Sequence, residues 1–432
     1  MSGQSTERTE NAVNHSWAAG LFQGGNMAEK EMWKERLRKY LVTLLSAIFM
    51  ILVFWGLNRW MQKEEAQTIK VGIVYVDDAS APYTNNFIKA QNAAEEAFGE
   101  QIEMFAKYNV PEGKAEPSIR ELAAEGCRII FGTSYGYGET MKRLAAEYPE
   151  IEFCQATGDN ANEEPVLKNY HTFMGTIYEG RYVSGVVAGM KLRELIEQGK
   201  ISPDEAKIGY VGAFPFAEVI SGYTAFFLGV RSEVPTAVMH VKYTNTWSDY
   251  TIEKKYAKEL IEEGCVIISQ HSDTIGPAVA CEEAQPQKIA YHVGYNQSMT
   301  DTAPTTSLIS SRIIWEPYIV GAIQAVLEHK SIEKTVKGKV NGCDVSGGFK
   351  EGWIKMSALN ETIAADGTAE KITKVIQELK NGKLQVFWGD YLGVNPEDPS
   401  DVYDLNRGYR ENEFQSAPSF DYILKDVIIV EE

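Results

Sequence analysis

The sequence predicts an α/β protein with two similar lobes, each a doubly wound parallel sheet, and a transmembrane helix before them. Two observations predict the lobes: one passage occurs twice, and short apolar runs alternate with longer amphipathic runs. A third observation, an uncharged apolar run near the N-terminus, predicts the helix. With 432 residues, the chain is long enough for about two or three domains.

The duplicated passage is ELAAEGCRIIFGTSYGYG at residues 121–138 and ELIEEGCVIISQHSDTIG at residues 259–276, and nine of the eighteen positions are identical. Two other segments repeat at nearly the same offset. KVGIVYVDD at Lys70–Asp78 returns as KIGYVGAFP at Lys207–Pro215, and FAKYNV returns as HVKYTN. Because a constant offset indicates a duplicated structural unit, we expect two lobes of about 130 residues each.

Each lobe is predicted to alternate strands with helices. The strands of the first lobe are VGIVYV, IEMFAKY, CRIIFG and IEFCQAT, and those of the second are KIGYVG, AVMHVKY, CVIISQ and KIAYHVGY. Helical spacing of apolar residues predicts, among others, Tyr178–Gln198, Ala217–Arg231, Asp249–Glu263 and Gly276–Ala284. This alternation is typical of parallel sheets covered by helices, which bind ligands beyond the carboxyl ends of their strands.

After Tyr295 the chain is predicted to return to the first lobe, through the strand-like TSLISSRIIW and the helix-like PYIVGAIQAVLEH. Late strands are predicted at Gly342–Trp353 and Lys383–Gly389, and the ending YILKDVIIVEE has the composition of a last strand. Repeated crossings between two lobes describe a hinged cleft. The expected organisation is a cytoplasmic leader at 1–39, an anchor at 40–58, lobe 1 at 69–200 plus 300–340, lobe 2 at 206–298 plus 342–394, and a tail at 395–432.

The uncharged run Tyr40–Asn58 just spans a hydrocarbon core at about 1.5 Å per residue. Trp33, Trp55 and Trp60 lie near its ends, as interfacial anchors do. A cleaved secretory signal is the alternative, but no small-x-small site follows and no Cys offers a lipid attachment point, so an uncleaved anchor is favoured. The basic residues before it predict a cytoplasmic N-terminus and an extracytoplasmic C-terminal part: Lys34, Arg36, Arg38 and Lys39.

The formal net charge of −18 argues against a nucleic-acid partner, because binding a phosphate backbone needs clustered Lys and Arg. The five cysteines form neither a CxxC pair nor a zinc-ligand spacing, so no metal and no cofactor are expected. Cys127 and Cys265 occupy matching positions of the repeat and each begins an apolar run, which favours buried packing.

Residues just beyond the predicted strands should face the cleft. They are rich in aromatics, include a few carboxylates and amides, and are poor in Lys and Arg: Asp77, Asp78, Tyr83, Ser134, Tyr135, Phe214, Asn245, Trp247, Asp273, Tyr295, Asn296 and Trp315. Aromatic faces stack on planar rings, at about 1–3 kcal/mol per base, whereas a phosphate would call for Arg, Lys or a Gly-rich nest. The set therefore favours an uncharged ring. A free sugar stays open, and any single aromatic is as readily explained by core packing.

One passage also fits a hydrolase. Gly132-Thr133-Ser134-Tyr135-Gly136 matches the pattern G-x-S-x-G between a strand and a helix. The matching loop of the other lobe reads QHSDT, however, and no HGGG-like oxyanion segment is present. We therefore do not expect an enzyme.

At these residues the sequence resembles the basic membrane protein family of ABC-transporter substrate-binding proteins, especially its purine-associated branch. The resemblance covers roughly Lys70–Leu327, and more loosely extends to Gly393. Its motifs are IIFGTSYGY, YEGRYVSGVVAG, IGYVGAFPFAEVISG, NTWSDYTIEKKYAKELIEEG, ISQHSDT and YNQSM. It implies a periplasmic-binding-protein type I fold that closes on a nucleobase or nucleoside.

The resemblance also implies roles for residues. Trp247 and Phe214 would flank the ring, and Trp315 would cap the pocket. Tyr83 stands where the family often has Trp, and Asn296 stands where it has an acidic residue, so the ligand's identity is less secure than the fold. Three other residues would line the pocket, with the last accepting a hydrogen bond from the ligand: Ser134, Tyr135 and Asp273.

The sequence thus predicts a membrane-anchored, extracytoplasmic protein that captures a purine nucleoside or nucleobase and delivers it to an ABC permease. The alternative is a ligand-sensing membrane regulator that uses the same pocket without transport, because the anchor replaces the lipidated Cys usual in the family. A serine hydrolase using Ser134 is the least favoured interpretation.

Overall fold

The structure, a computed structural model, describes residues 27–64 and 68–431. Contacts divide the chain into two units, one ending at Gln67 and one beginning at Thr68. The first unit contains helix α1, Met27–Glu64. Within it, Glu29–Asn58 is long and apolar enough to cross a membrane, with a mean hydropathy of 2.3 in its most apolar window. The predicted run 40–58 is therefore helical, and the predicted leader lies outside the described residues up to residue 26.

The second unit contains two seven-stranded sheets and one small sheet. Strands and helices are numbered in chain order. The first sheet is formed by β1 (Ile69–Val74), β2 (Ile102–Lys107), β3 (Cys127–Gly132), β4 (Glu152–Ala156), β5 (Tyr170–Gly175), β11 (Lys339–Asn341) and β12 (Asp344–Gly347). Its order is β11-β12-β5-β4-β3-β1-β2, and every pair except β11–β12 is parallel.

The second sheet repeats this plan. It is formed by β6 (Lys207–Gly212), β7 (Val238–Tyr243), β8 (Ile267–His271), β9 (Tyr291–Tyr295), β10 (Ser307–Ile313), β13 (Ile354–Met356) and β17 (Ile428–Val430). Its order is β13-β10-β9-β8-β6-β7-β17, with β13 antiparallel and the other strands parallel. The two-lobed, doubly wound α/β fold predicted from the sequence is confirmed.

Helices cover the faces of both sheets. They are α2 (Pro82–Phe98), α3 (Ala115–Ala124), α4 (Gly138–Glu147), α5 (Ile177–Glu197), α6 (Ala217–Arg231), α7 (Tyr250–Glu262), α8 (Gly276–Ala284), α9 (Glu316–Leu327), α10 (Ile332–Thr335) and α11 (Thr368–Lys380). The duplicated glycines Gly126 and Gly264 explain part of the repeat. Each follows a helix end with a left-handed φ, +87° and +91°, which a residue without Cβ adopts most readily.

The boundaries between the lobes differ from those expected. Strand β10 pairs with β9 in the second sheet, so residues 307–313 do not belong to lobe 1. Conversely, β12 pairs with β5, so residues 344–347 belong to lobe 1 rather than lobe 2. Apolar periodicity identifies a strand but not its partner, and both sheets offer an apolar edge. Residues 383–389 form a loop rather than the predicted strand, and β5 was not predicted.

The chain passes between the lobes several times. It leaves lobe 1 through α5, enters lobe 2 at β6, returns after β10 and crosses again after β12. Helix α5 contributes apolar residues to the cores of both lobes. It meets α6 without intervening side chains, because a Cβ on Gly185 would lie 1.8 Å from the Phe226 carbonyl oxygen and one on Gly229 would lie 2.2 Å from that of Tyr182.

The tail is ordered on lobe 2. Strand β14 (Leu392–Val394) pairs antiparallel with β15 (Val402–Asp404) and with β16 (Ile423–Leu424), forming the small sheet. The last strand, β17, then adds in parallel to β7 at the edge of the second sheet. The final run is therefore a strand, as predicted, and its partner is now known.

Candidate ligand-binding site

A cavity lies between the lobes, at the carboxyl ends of the strands. It encloses ≈ 480 Å³, including the part that opens to solvent. Its lining comes from both lobes: Val76, Asp77, Tyr83, Ser134, Tyr135, Thr157, Glu218, Trp247, His271, Asp273 and Tyr295. We call this space the inner chamber.

The lobe 1 wall is formed by a helix start and by strand-end loops. Tyr83, in the first turn of α2, donates through its hydroxyl to the Thr133 carbonyl oxygen at 2.7 Å. Tyr135 follows β3 and donates to Asp159 at 3.1 Å, with 48 % of its surface exposed. These hydrogen bonds fix the ring planes of both tyrosines at the cavity edge.

The lobe 2 wall is more deeply buried. Asp273 follows β8; its backbone N–H donates to the Trp247 carbonyl oxygen at 2.8 Å, and its carboxylate accepts from the Asn296 amide at 3.0 Å. The carbonyl oxygen of Asn296 accepts from the Asn86 amide of lobe 1 at 2.8 Å. Asn296 does not line the inner chamber. It holds Asp273 in place and joins the lobes.

Two predicted site residues lie behind the lining. Phe214 stacks on Phe216, with ring centroids 5.0 Å apart, and meets Trp247 edge-on at 5.3 Å, so it supports the tryptophan. Trp315 is 1 % exposed, stacks on Phe87 at 4.3 Å and belongs to the lobe 1 core. The resemblance placed Trp315 over the pocket, whereas the structure places it behind Tyr83. Seven of the residues predicted to face the cleft share the cavity: Asp77, Tyr83, Ser134, Tyr135, Trp247, Asp273 and Tyr295.

The sequence analysis missed four residues of the lining and Arg181 behind it; the four are Val76, Thr157, Glu218 and His271. His271 ends β8 and is 2 % exposed, and its ring nitrogens make no hydrogen bond within the described residues; the nearest Glu218 carboxylate oxygen lies 3.7 Å away. Arg181, on α5, is buried behind them, with its guanidinium 3.6 Å from the centre of the Tyr295 ring. The repeat offered a way to find His271, because His271 occupies in lobe 2 the strand-end position that Thr133 occupies in lobe 1.

Burial governs the charges of the inner chamber. Desolvation raises the pKa of Glu218 to about 7, partly offset by Arg181, and raises the pKa of Asp273 well above its usual range. Desolvation and the Arg181 charge hold the pKa of His271 well below its ordinary value, so the ring is neutral. His271 and Asp273 therefore offer neutral donors and acceptors between aromatic faces, an arrangement that suits a planar uncharged ring better than a phosphate.

Ser134 has a structural partner. Its hydroxyl donates to the Glu112 carboxylate at 2.6 Å, and the same oxygen accepts from the Gly136 N–H at 3.0 Å. In lobe 2, the hydroxyl of Ser272 donates to Glu253 at 2.8 Å, and that oxygen accepts from the Thr274 N–H at 3.2 Å. The repeated serine thus braces the same loop twice, and this role accounts for the G-x-S-x-G pattern.

The sequence profile of the Bmp family, described as PnrA-like ABC transporter substrate-binding proteins, matches residues 69–387. The chain belongs to this family. A purine-binding protein of Brucella abortus is 30 % identical over 325 residues, which cover 75 % of this chain and 84 % of the relative. The fold is that of an ABC transporter solute-binding protein from Aeropyrum pernix K1, with a TM-score of 0.61 at 17 % identity over 77 % of this chain and 95 % of that one.

A second relative of this chain is named for another ligand class. A Haloferax volcanii protein, named as a candidate glucose-binding protein of an ABC transporter, is 30 % identical over 267 residues, which cover 61 % of this chain and 62 % of the relative. Family membership therefore establishes an ABC-type solute-binding protein, and the ligand has to be argued from the site.

Proposed function

We propose that the protein is a membrane-anchored, extracytoplasmic receptor that captures a purine nucleobase or nucleoside and delivers it to an ABC permease. One observation carries the proposal. The aromatic side chains Tyr83, Tyr135 and Trp247 share one interlobe cavity with Asp273 and His271, whose polar atoms suit the edge of a ring. The name of the Brucella abortus relative supports the same ligand class.

The anchor rests on α1. An uncharged helical run long enough to span a bilayer precedes the ligand-binding unit, and basic residues precede the run. The proposed orientation places the N-terminus in the cytoplasm and the cleft outside, where a permease collects its ligand. A ligand-sensing regulator would keep the same anchor and pocket, and would differ in having no permease that binds the ligand-loaded form.

The test is a thermal-shift screen of the full chain in detergent against purine bases, purine nucleosides and simple sugars. A ligand at about one hundred times its Kd should stabilise the folded protein by about 2.7 kcal/mol. We expect a rise in Tm for purines that Trp247→Ala greatly reduces. A rise for sugars alone would overturn the purine assignment and would place this chain with the relative named for glucose.

A further inference from the structure

A second chamber opens from the inner one, and we call it the outer chamber. It encloses ≈ 920 Å³, including its solvent-open part. Four residues line both chambers, so the two spaces lie side by side: Tyr135, Thr157, Glu218 and Trp247. A ligand seated on Trp247 in the inner chamber can therefore extend into the outer one.

The far wall of the outer chamber is made by the C-terminal tail. Residues 395–397 follow β14 and residues 417–421 precede β16, and these two strands pair antiparallel, so both segments leave the small sheet at one end. The family match ends at residue 387, so this wall lies outside the matched residues.

The wall is fixed to both lobes. The buried Glu411 carboxylate accepts from the Ser221 hydroxyl of α6 at 2.6 Å and from the Phe420 N–H at 3.0 Å. On the other side, the Ser416 N–H donates to Asp344 of β12, and the Lys339 ammonium donates to the Asn412 carbonyl oxygen at 2.6 Å. The tail is thus held as a rigid wall of the cleft.

All the charged residues that line the outer chamber are acidic. Its lining contains four carboxylates and no Lys, Arg or His: Asp159, Glu218, Glu397 and Asp421. Within residues 68–431 the side chain of Glu397 makes no hydrogen bond or ion pair, and the Asp421 carboxylate accepts a hydrogen bond only from its own backbone N–H. Burial, then Asp401 and Glu397, raise the pKa of Asp421. Such walls accept hydrogen bonds from hydroxyl or ammonium groups and repel anions.

The inner chamber points independently to a ligand. Within residues 68–431, both ring nitrogens of His271 are buried without a hydrogen-bond partner, a state that costs free energy unless a bound molecule supplies the missing bonds. The two observations lie in adjacent chambers that share Trp247 and Glu218.

We propose that the outer chamber is a second ligand subsite, in which Glu397 and Asp421 of the C-terminal tail bind a hydrogen-bond-donating, non-anionic substituent carried by the ring in the inner chamber. The proposal rests on the proposed function, because it takes the ring to be a purine. Sugar hydroxyls and amines share the required chemistry.

The test compares Glu397→Gln/Asp421→Asn with the wild type by calorimetric titration of the full chain. The probes are adenine, adenosine, 9-(3-aminopropyl)adenine and adenosine 5′-monophosphate. We expect the wild type to bind adenosine or the aminopropyl compound more tightly than adenine, and to bind the monophosphate more weakly than adenosine. Since each lost hydrogen bond to a carboxylate costs about tenfold or more in affinity, the variant should lose that preference while its adenine affinity changes by less than about threefold.

The matched control, Glu413→Gln/Asp426→Asn, removes the same charge from exposed tail positions outside the chamber lining. It should leave all four affinities unchanged. A preference for adenosine or the amine that survives in the chamber variant, or an equal loss for adenine, overturns the subsite. Absence of binding by every purine in the wild type overturns the proposed function itself, and a loss confined to the amine or to adenosine identifies which substituent the chamber takes.

Discussion

The strand-end loops after β3 and β8 descend from one duplicated passage, yet they meet the ligand cleft with different chemistry. Both keep a serine that donates to a glutamate, at 2.6 Å in lobe 1 and 2.8 Å in lobe 2. Around that brace, lobe 1 places Thr133 and the half-exposed Tyr135. Lobe 2 instead places the buried His271, close to Glu218 and Arg181, and the half-buried Asp273. Both loops therefore keep the serine–glutamate hydrogen bond that shapes them. The residues beside it differ, so lobe 1 presents a solvent-exposed aromatic ring to the cleft and lobe 2 presents desolvated polar side chains.

The largest expected difference concerns the two braces. Glu253 uses both carboxylate oxygens, one for the Asp249 N–H at 3.1 Å and the other for Ser272 and Thr274, so Glu253→Gln leaves a buried donor without an acceptor. We expect a loss of about 2 kcal/mol in the free energy of unfolding. Chemical denaturation at pH 7.5, followed by tryptophan fluorescence, measures it.

Glu112→Gln is the matched control in lobe 1. Both of its hydrogen bonds use one oxygen, which the amide retains, so the cost should be about 0.5 kcal/mol or less. Equal losses in the two variants would show that the braces are equivalent, contrary to their different burial.

The second difference concerns the aromatic walls. Trp247→Ala removes a ring supported by Phe214 and should weaken purine binding by about 10- to 100-fold, the cost of one stacking partner. Tyr135→Ala removes a ring that is 48 % exposed, and the loss should be about threefold. Calorimetric titration with the purine that gives the largest Tm rise compares them, and the reverse order would assign the main stacking surface to lobe 1.

The third difference is in pH dependence. The folded-state pKa of Glu218 is raised to about 7, so the folded protein binds a proton that the unfolded chain releases above about pH 4.5. The stabilisation present at pH 4.5 should therefore decline as the pH rises to about 7, and Glu218→Gln should flatten that part of the profile.

His171 of lobe 1 provides the contrast. Hydrogen bonds to Glu152 and Glu333 outweigh burial and raise its pKa to about 9, so its contribution is complete below about pH 6.5 and is lost as the pH rises through 9. His171→Gln should change only this higher window. Tm profiles from pH 4.5 to 9.5 resolve the two, and a single shared window would contradict the assignment.

The smallest expected effect is that of Tyr135→Phe. It removes one exposed hydrogen bond to Asp159, at 3.1 Å, and keeps the ring. Affinity for a purine should fall by about twofold at most, because exposed hydrogen bonds contribute little net free energy. A larger loss, seen in the same titrations, would assign the hydroxyl a direct contact with the ligand.

The duplication and the alternating pattern predicted the fold class and located most strands and helices of the two repeats; α6 and α8 have the predicted bounds. Strand pairing was harder, because β10 and β12 each fit either sheet by composition and exchanged lobes relative to the prediction. The loop 383–389 reads as a strand because Val386 and Phe387 are apolar, but these residues pack into the lobe 2 core from a bend.

The cavity was predicted less completely than the fold. The strand-end rule found Tyr83, Trp247 and Asp273, but it selects residues by position in the chain and so could not find Glu218, which α6 brings to the cleft from its first turn. It also could not distinguish a lining aromatic from Trp315, which follows a strand and faces inward. Which side of an element a ring occupies depends on packing that one sequence does not show.

The hydrogen bond from the Asn86 amide to the Asn296 carbonyl oxygen acts as a latch between the lobes. The side chain of Asn296 also holds the Asp273 carboxyl, so one residue takes part both in the latch and in the support of the inner chamber. If a ligand leaves the chamber when the lobes separate, this hydrogen bond must break as well. The residence time of the ligand is therefore coupled to the breaking of this hydrogen bond. A partner that separates the lobes would release the ligand without contacting it.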